Sequence, residues 1–443
     1  MDSNMTAWEC TICGEIIIGP VPPEFCPVCA AGRDKFIRVD LAPVTYEKNT
    51  LEKYIIVGGG PAGTTAAEEI RKRNHTCTIE IVSRENVLGY NRPMLTKGIM
   101  GSLDMSNLFI KDYSWYVENN IKFRLNQEVL DIDVPSKIVK LASGETREYD
   151  KLIITTGADS FLPPFKGVDK KGIFTIRTLM NINDLKKYIA TGIKKAAVIG
   201  GGVLGLEAAS ELNKAGLDVT VIEASPVIMG KQLDAEGAAV LREAMAAVKV
   251  KAQVGSPIAG ILGEDTVSGV ELEDGTVVPC EVLIISTGVR QNVALAQKAG
   301  AQITRSIVVN EKMETGVPDI YAAGDCAEYN GVNYAIWPQA INMAKVAASN
   351  ATGDTAIYQP TIPAVSFEGL GTAIFSVGEH GSDPNLTYET KKFEDKEKRV
   401  YKKLYFRDRR FCGGILIGDT SGVTDLLAAY TEKRPIEEME AMG

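Results

Sequence analysis

The chain has 443 residues, too many for one ordinary core at ~100–200 residues per domain, so roughly two to four domains are expected. Its 45% hydrophobic and 24% charged residues, with 42 glycines, are those of a globular α/β protein and exclude a disordered or fibrous chain. A formal charge of -9 excludes non-specific nucleic-acid binding, which depends on Lys and Arg neutralising phosphates.

Residues Met1 to Glu9 hold no basic segment followed by an apolar run, and no stretch approaches the ~20 apolar residues of a membrane span. A cytoplasmic protein without membrane segments is expected. Four of the eight cysteines fall early, while Cys77, Cys280, Cys326 and Cys412 are scattered singly, which suits a metal site better than a disulfide framework. Cys10 and Cys13 form one CxxC, Cys26 and Cys29 a second, with twelve residues between the pairs. Two such knuckles can close a tetrahedral thiolate cage, and Gly14 can supply the positive φ of the first turn. That cage suits zinc as a structural ribbon or iron as a one-electron carrier. Trp8, the CPVC sequence, Gly32 and Phe36 resemble a rubredoxin, and the short gap is similar to the rubredoxin-like domain of rubrerythrins. The resemblance implies one iron, in a domain of residues 1–42. Leu41 to Thr50 lack periodicity and read as a linker.

At Tyr54 an apolar strand runs into Gly58-x-Gly60-x-x-Gly63 and a helical pattern, and at Ala196 the plan repeats with Gly200-x-Gly202-x-x-Gly205. In that setting small residues let backbone approach a pyrophosphate, whose charge faces the helix N-terminus. Each half continues with a hairpin signal and a buried strand ending in Thr-Gly, at Gly157 and at Gly288. The duplication predicts two dinucleotide folds. Each should carry an acid after its second strand to accept a ribose hydroxyl. In the second fold this is Glu223, with no Arg directly after it, which predicts NADH over NADPH. In the first it is Glu85, with Ser83 a weaker candidate.

Farther on, YAAGDCA precedes a helix beginning near Pro338. Asp325 there suits a bond to a flavin ribityl chain, or simply the capping of a turn. The order of parts, GxGxxG, YNRPMLTKG, TTGA, a second GxGxxG followed by LE, STGVRxN, AAGD and WPQA, resembles the two-dinucleotide-domain flavoprotein reductases over Leu51 to Gly353. The branch includes NADH:rubredoxin oxidoreductases and the ferredoxin reductases of oxygenase systems. The resemblance implies FAD in the first fold and NADH in the second. It places Arg92 and Lys97 at FAD, Thr156 and Gly157 along the flavin site, Asp325 at the ribityl chain, Trp337 at the pyrimidine ring and Glu207 near the nicotinamide. Thiol-dependent members carry a cysteine in the segment matching YNRPMLTKGIMG, and none stands here. Nor is there a CxxC in the flavin region. Cys326 reads as a packed small residue.

The last ~90 residues, by alternating stretches such as RVYKKLYF, read as a mainly β or α+β unit. By the resemblance it covers the flavin and meets a second subunit, so a homodimer is expected. Lys391 to Arg410 carry ten bases against four acids, whereas the first forty residues carry six acids against three bases. The basic stretch reads as a solvated hairpin face, or as a docking site for the acidic metal domain.

The expected architecture is α/β: two Rossmann-like FAD/NAD(P)-binding domains, with a small rubredoxin-like metal domain before them and a C-terminal α+β domain after. The boundaries are 1–42 for the metal domain, 51–162 with 281–353 for FAD, 163–280 for NADH and 354–443 for the interface domain. The expected function is an NADH-dependent FAD oxidoreductase passing electrons singly to its own iron, to a separate rubredoxin-type carrier, or to both. A rubredoxin-using redox protein is the expected downstream partner. The alternatives are an NADH oxidase or peroxidase acting at the flavin, and a flavoprotein with a zinc-ribbon docking module.

Overall fold

The computed structural model describes residues 6–12, 14–26, 31–40, 44–101, 108–360 and 362–439. The chain divides into two compact units, the first made of Met1–Asn91, Asp104–Asp159 and Val289–Thr361, the second of Arg92–Leu103, Ser160–Gly288 and Ile362–Gly443.

In the first unit five parallel strands lie in the order Ile320–Ala322, Lys151–Ile154, Lys53–Val57, Thr78–Val82, Ile121–Arg124. Their apolar runs are buried almost end to end, as parallel strands covered on both faces must be. The helices Pro61–Arg73 and Trp337–Thr352 bring buried alanines to this core, among them Ala66, Ala67, Ala344, Ala347 and Ala348. Small side chains let helix backbone sit close to its neighbours. A three-stranded antiparallel sheet, Val129–Asp133, Ile138–Leu141 and Thr146–Glu148, leads into the Lys151 strand. The N-terminal residues form a separate three-stranded antiparallel sheet, Ile16–Gly19, Thr6–Cys10 and Phe36–Val39.

The second unit repeats the plan. Its parallel sheet runs Ile173–Phe174, Val282–Ile285, Lys195–Ile199, Asp218–Glu223, Lys251–Val254, and a three-stranded sheet of Ile258–Leu262, Gly269–Leu272 and Val277–Pro279 precedes the Val282 strand. The same unit holds a five-stranded antiparallel sheet in the order Ala364–Gly369, Thr372–Gly378, Arg410–Ile417, Val400–Arg407, Glu389–Asp395, followed by the helix Val423–Glu432.

The basic stretch of that sheet is divided: Lys396, Lys398 and Arg399 are exposed at the hairpin end, while other bases are spent on local partners. Lys402 is buried and pairs with Asp419 at 2.7 Å, and Lys403 reaches Asp234 at 2.8 Å and Glu236 at 2.9 Å. Lys392 meets Glu236 at 2.9 Å, Lys391 donates to the carbonyls of Ile436 and Met439, and Arg407 meets Glu379 at 2.8 Å. Neither a solvated face nor a docking surface describes Lys402 and Lys403: they tie the sheet to its own unit. Asp234 is the hub. Its carboxylate caps the helix Ala235–Ala247 through the Gly237 N–H and accepts from Lys403, Tyr401 and Tyr405 at 2.7–2.8 Å.

Burial pushes the Asp234 carboxyl up, but the bonds from Lys403, Gly237, Tyr405 and Tyr401 outweigh it and hold the group below its usual range. A depressed acid contributes stability above its unfolded value of ~3.9, and that contribution is lost as pH falls through the folded value. Asp234→Ala is expected to cost about 1–3 kcal/mol at neutral pH, because the Tyr405 hydroxyl and the Gly237 N–H lose their acceptor while Lys403 and Tyr401 keep only Glu236. The acid limb of stability below about pH 4 should flatten as well. Urea unfolding across pH measures both, and an unchanged midpoint would refute the hub role.

Candidate functional site

The two glycine loops have the same geometry. Gly58 has φ +115° and its α-carbon lies against the chain, so a β-carbon there would stand 2.2 Å from the Thr155 carbonyl oxygen. One on Gly63 would stand 2.0 Å from the Gly58 oxygen. In the second loop Gly200 has φ +110° and would meet Ser286 at 2.2 Å, and Gly205 would meet Gly200 at 2.0 Å. Gly60 and Gly202 differ: nothing lies within 4 Å of a β-carbon on either. Both are helix N-caps without a side-chain cap, Gly60 ahead of Pro61, which has no N–H to give, and Gly202 ahead of Val203. That leaves donors and positive helix ends for an anionic ligand.

At the second strand the two folds diverge. Glu223 accepts from the Gly201 N–H at 2.7 Å and the Ser225 N–H at 2.8 Å, holding its carboxylate beside the loop. Ile222 pairs with Ile199 and Val82 pairs with Val57, so Ser83 occupies in the first fold the register that Glu223 occupies in the second. Glu85 stands two residues on, where its carboxylate accepts from the Tyr90 hydroxyl at 2.7 Å and its N–H donates to Ser83 at 3.3 Å. Tyr90, buried at the start of YNRPMLTKG, had no sequence signal beyond that motif.

Around Thr156 and Gly157 the backbone is clamped to Asn292. Thr156 donates to the Asn292 carbonyl at 2.7 Å, Asn292 Nδ2 donates to the Thr156 carbonyl at 3.1 Å, and Asn292 N donates to the Gly157 carbonyl at 2.9 Å. Asp325 follows Gly324, whose β-carbon would lie 3.1 Å from Ala62 and 3.6 Å from Ala340. The turn therefore sits between the starts of the Pro61–Arg73 and Trp337–Thr352 helices. Asn333 Nδ2 donates to the Asp325 carbonyl at 2.8 Å, and Gln339 accepts the Tyr334 and Ala335 N–H groups ahead of the second helix. The indole N–H of Trp337 is buried without a partner among the described residues. Cys326 is fully buried, and burial pushes its thiol up, out of the nucleophilic range.

In the second unit Arg92 donates to the Arg177 carbonyl, and Thr96 donates to Glu207 at 2.9 Å. Burial pushes the Glu207 carboxyl up, against the Thr96 bond and the Lys97 charge. Lys97, Glu207 and the second glycine loop are thus brought into one unit, with Gly288 at φ +103° closing the Val282–Ile285 strand. Of the four clustered cysteines, Cys10 and Cys26 share one buried cluster with Ile12, Ala31, Phe36 and Trp337. Cys13 and Cys29 lie outside the described residues. Gly14 adopts the positive φ expected after the first knuckle, +70°.

Residues 52–351 match the pyridine nucleotide-disulphide oxidoreductase family. The chain belongs to that family. Membership implies use of FAD and NAD(H), which the two open glycine loops suit. Residues 8–37 match the rubredoxin-like domain of rubrerythrin, and residues 363–434 the C-terminal domain of rubredoxin NAD+ reductase. A nitrite reductase [NAD(P)H] of Bacillus subtilis is 34% identical over 393 residues, covering 87% of this chain and 48% of that protein. The rubredoxin-NAD(+) reductase of Pseudomonas putida is 31% identical over 332 residues, covering 72% and 86%. The crystal structure of NADH:rubredoxin oxidoreductase from Clostridium acetobutylicum superposes with a TM-score of 0.74 at 27% identity, covering 89% of this chain and 98% of that one. The chain spans about half the length of the first curated relatives it matches.

Because the third glycine of each loop touches the first, Gly63→Ala and Gly205→Ala should each force the loop apart and cost about 1–3 kcal/mol. Each is expected to weaken dinucleotide binding at its own fold only. Gly60→Ala, which meets open space, should leave stability unchanged while still impeding a ligand. Thermal melts with and without nucleotide separate these outcomes, and equal destabilisation by all three would contradict the reading.

Proposed function

We propose that the chain is an NADH-dependent FAD oxidoreductase that delivers electrons singly to its own four-cysteine iron site, to a separate rubredoxin-type carrier, or to both. One observation carries this reading: the chain joins a rubredoxin-like segment and a rubredoxin-reductase C-terminal segment to a flavoprotein core with no cysteine between Tyr90 and Gly101. Electrons have no thiol beside the flavin to go to.

FAD, when bound, supplies hydride acceptance from NADH and release of electrons one at a time. The residues present fit it. Gly58, Gly60 and Gly63 leave an open cradle at a helix start, and the buried Trp337 N–H has no acceptor among the described residues. Arg92, Lys97, Thr156, Gly157 and Asp325 would line the ring and ribityl chain, and Glu85, backed by Ser83, would take the adenosine ribose. For NADH, Gly200, Gly202 and Gly205 would face the pyrophosphate, Glu223 the ribose, and Glu207 and Gly288 the nicotinamide side. No side chain need move a proton. The protein's work is orientation, with Glu207 and Lys97 setting the local charge. Cys10, Cys13, Cys26 and Cys29 would hold iron in preference to zinc.

The domain assignment follows: residues 1–42 hold the metal, 51–162 and 281–353 hold FAD, 163–280 hold NADH, and 354–443 form the interface of a cytoplasmic homodimer. Electrons would leave to a rubredoxin-using redox protein.

Protein isolated from its native host is expected to contain one iron and one FAD per chain, and anaerobic stopped-flow with NADH should show flavin bleaching followed by loss of ferric-thiolate absorption. Zinc in place of iron would sink the electron-relay reading. Oxygen or peroxide turnover that survives loss of the metal would favour the oxidase reading. Glu223→Ala should lower kcat/KM for NADH about ten- to hundredfold, the equivalent of ~1–3 kcal/mol for charge-assisted bonds, and narrow the preference over NADPH. Equal NADH use by the variant would remove Glu223 from the site.

A further inference from the structure

One helix of the nucleotide fold, Trp337–Thr352, is touched at both ends by the N-terminal segment. At its start Trp337 packs against the Cys10 and Cys26 cluster, and a β-carbon on Gly14 would lie 3.6 Å from Pro338. At its end the Thr352 carbonyl accepts from Tyr46 Oη at 3.1 Å and from Lys48 Nζ at 2.9 Å. Lys48 N also donates to the Arg73 carbonyl at 2.7 Å, the last residue of the neighbouring helix, and Nζ pairs with Glu52 at 2.6 Å. The linker is therefore bonded down from Tyr46 onward. Only five residues separate Asp40 from Tyr46. A chain of that length reaches about 20 Å fully extended, so the module cannot travel far from the helix. The Glu9 carboxylate lies at the same seat, 4.0 Å from the β-carbon position of Gly14, and Lys345 of the helix acts on it and on Glu15 with opposite charge, as Lys111 does on Glu15, against the Cys26 sulfur and Glu68. Glu68 is itself neutralised by Lys111 at 3.1 Å and Lys72 at 3.2 Å.

We propose that the four-cysteine module is a fixed part of the flavin-side unit, seated on Trp337 and Pro338 and strapped by Tyr46 and Lys48. The chain's own module is then the first electron acceptor, and a separate carrier draws electrons from the module instead of docking at that seat. This rests on the iron and FAD reading above and deepens it. Each transfer makes one ferric site ferrous with one of the two electrons supplied by NADH, and no bond or proton changes place at the iron. The second electron follows only after an external one-electron acceptor has reoxidised the iron. Tyr46, Lys48 and Lys345 are positioning residues in this scheme. A strapped module gains what tethering gives any intramolecular pair, a high effective concentration, without the search that a flexible leash requires.

The test uses the full holoprotein. Hydrogen exchange should show segments 8–12 and 334–340 protected in the oxidised wild type. Module reduction by NADH should be independent of protein concentration and change less than about twofold between low and high salt, because a seated contact is screened little. Lys345→Glu, which sets an acid against Glu9 and Glu15, should speed exchange in both segments at least tenfold. It should slow loss of ferric-thiolate absorption at least tenfold and leave NADH-driven ferricyanide reduction unchanged. Tyr46→Phe with Lys48→Ala should do the same from the strap end. Unprotected segments in the wild type, or salt-dependent module reduction, would overturn the seat even if either variant fails to fold. Absence of iron or FAD would instead defeat the functional reading, while segment protection would still report on the seat.

Discussion

A β-carbon on Gly63 would sit 2.0 Å from the Gly58 carbonyl oxygen, and one on Gly205 equally close to Gly200. This contact between the two ends of a six-residue turn is what brings a helix start directly over a strand end, twice in the chain. Everything that follows depends on it. The middle glycine is left facing open space, each helix starts without a side-chain cap, and the second strand, in register beside the first, places its next residue next to the loop. Side chains at the contact points would separate helix from strand and close the cradle.

The Trp337–Thr352 helix is the second organiser. Its buried alanines belong to the same core as the first parallel sheet, Gln339 gathers the N–H groups ahead of it, and its two ends receive the N-terminal segment. One rigid element of 16 residues thus serves the nucleotide fold and the cysteine module together. The second unit is held differently, by a buried ionic and hydrogen-bonding hub at Asp234 that joins the antiparallel sheet to the second dinucleotide fold. A carboxylate with four donors offsets the cost of burying Lys403.

Some of this was legible in the residues alone because it is local. Strand, glycine turn and helix follow one another within about twenty residues, so periodicity and small-residue spacing announce both loops, and the Lys53–Val57 and Lys195–Ile199 strands begin one residue before the apolar runs do. The paired CxxC turns, the α/β class and the flavin-reductase likeness were readable on the same grounds. The missing flavin-side cysteine needed no structure either.

Tertiary structure decided what depends on distant partners. Whether Ser83 or Glu85 stands level with Glu223 is a matter of strand register, which no local pattern contains. The charges of Lys402 and Lys403 looked available in a linear count, yet Lys403 is spent on Asp234, 169 positions away. Tyr46 and Lys48 read as linker because their acceptor, the Thr352 carbonyl, lies more than 300 residues downstream. Sequence by itself determined which chemical groups the chain possesses and which turns they sit on. Only packing determined which of them meet, because pairing energy is realised across space and leaves no periodic trace along the chain.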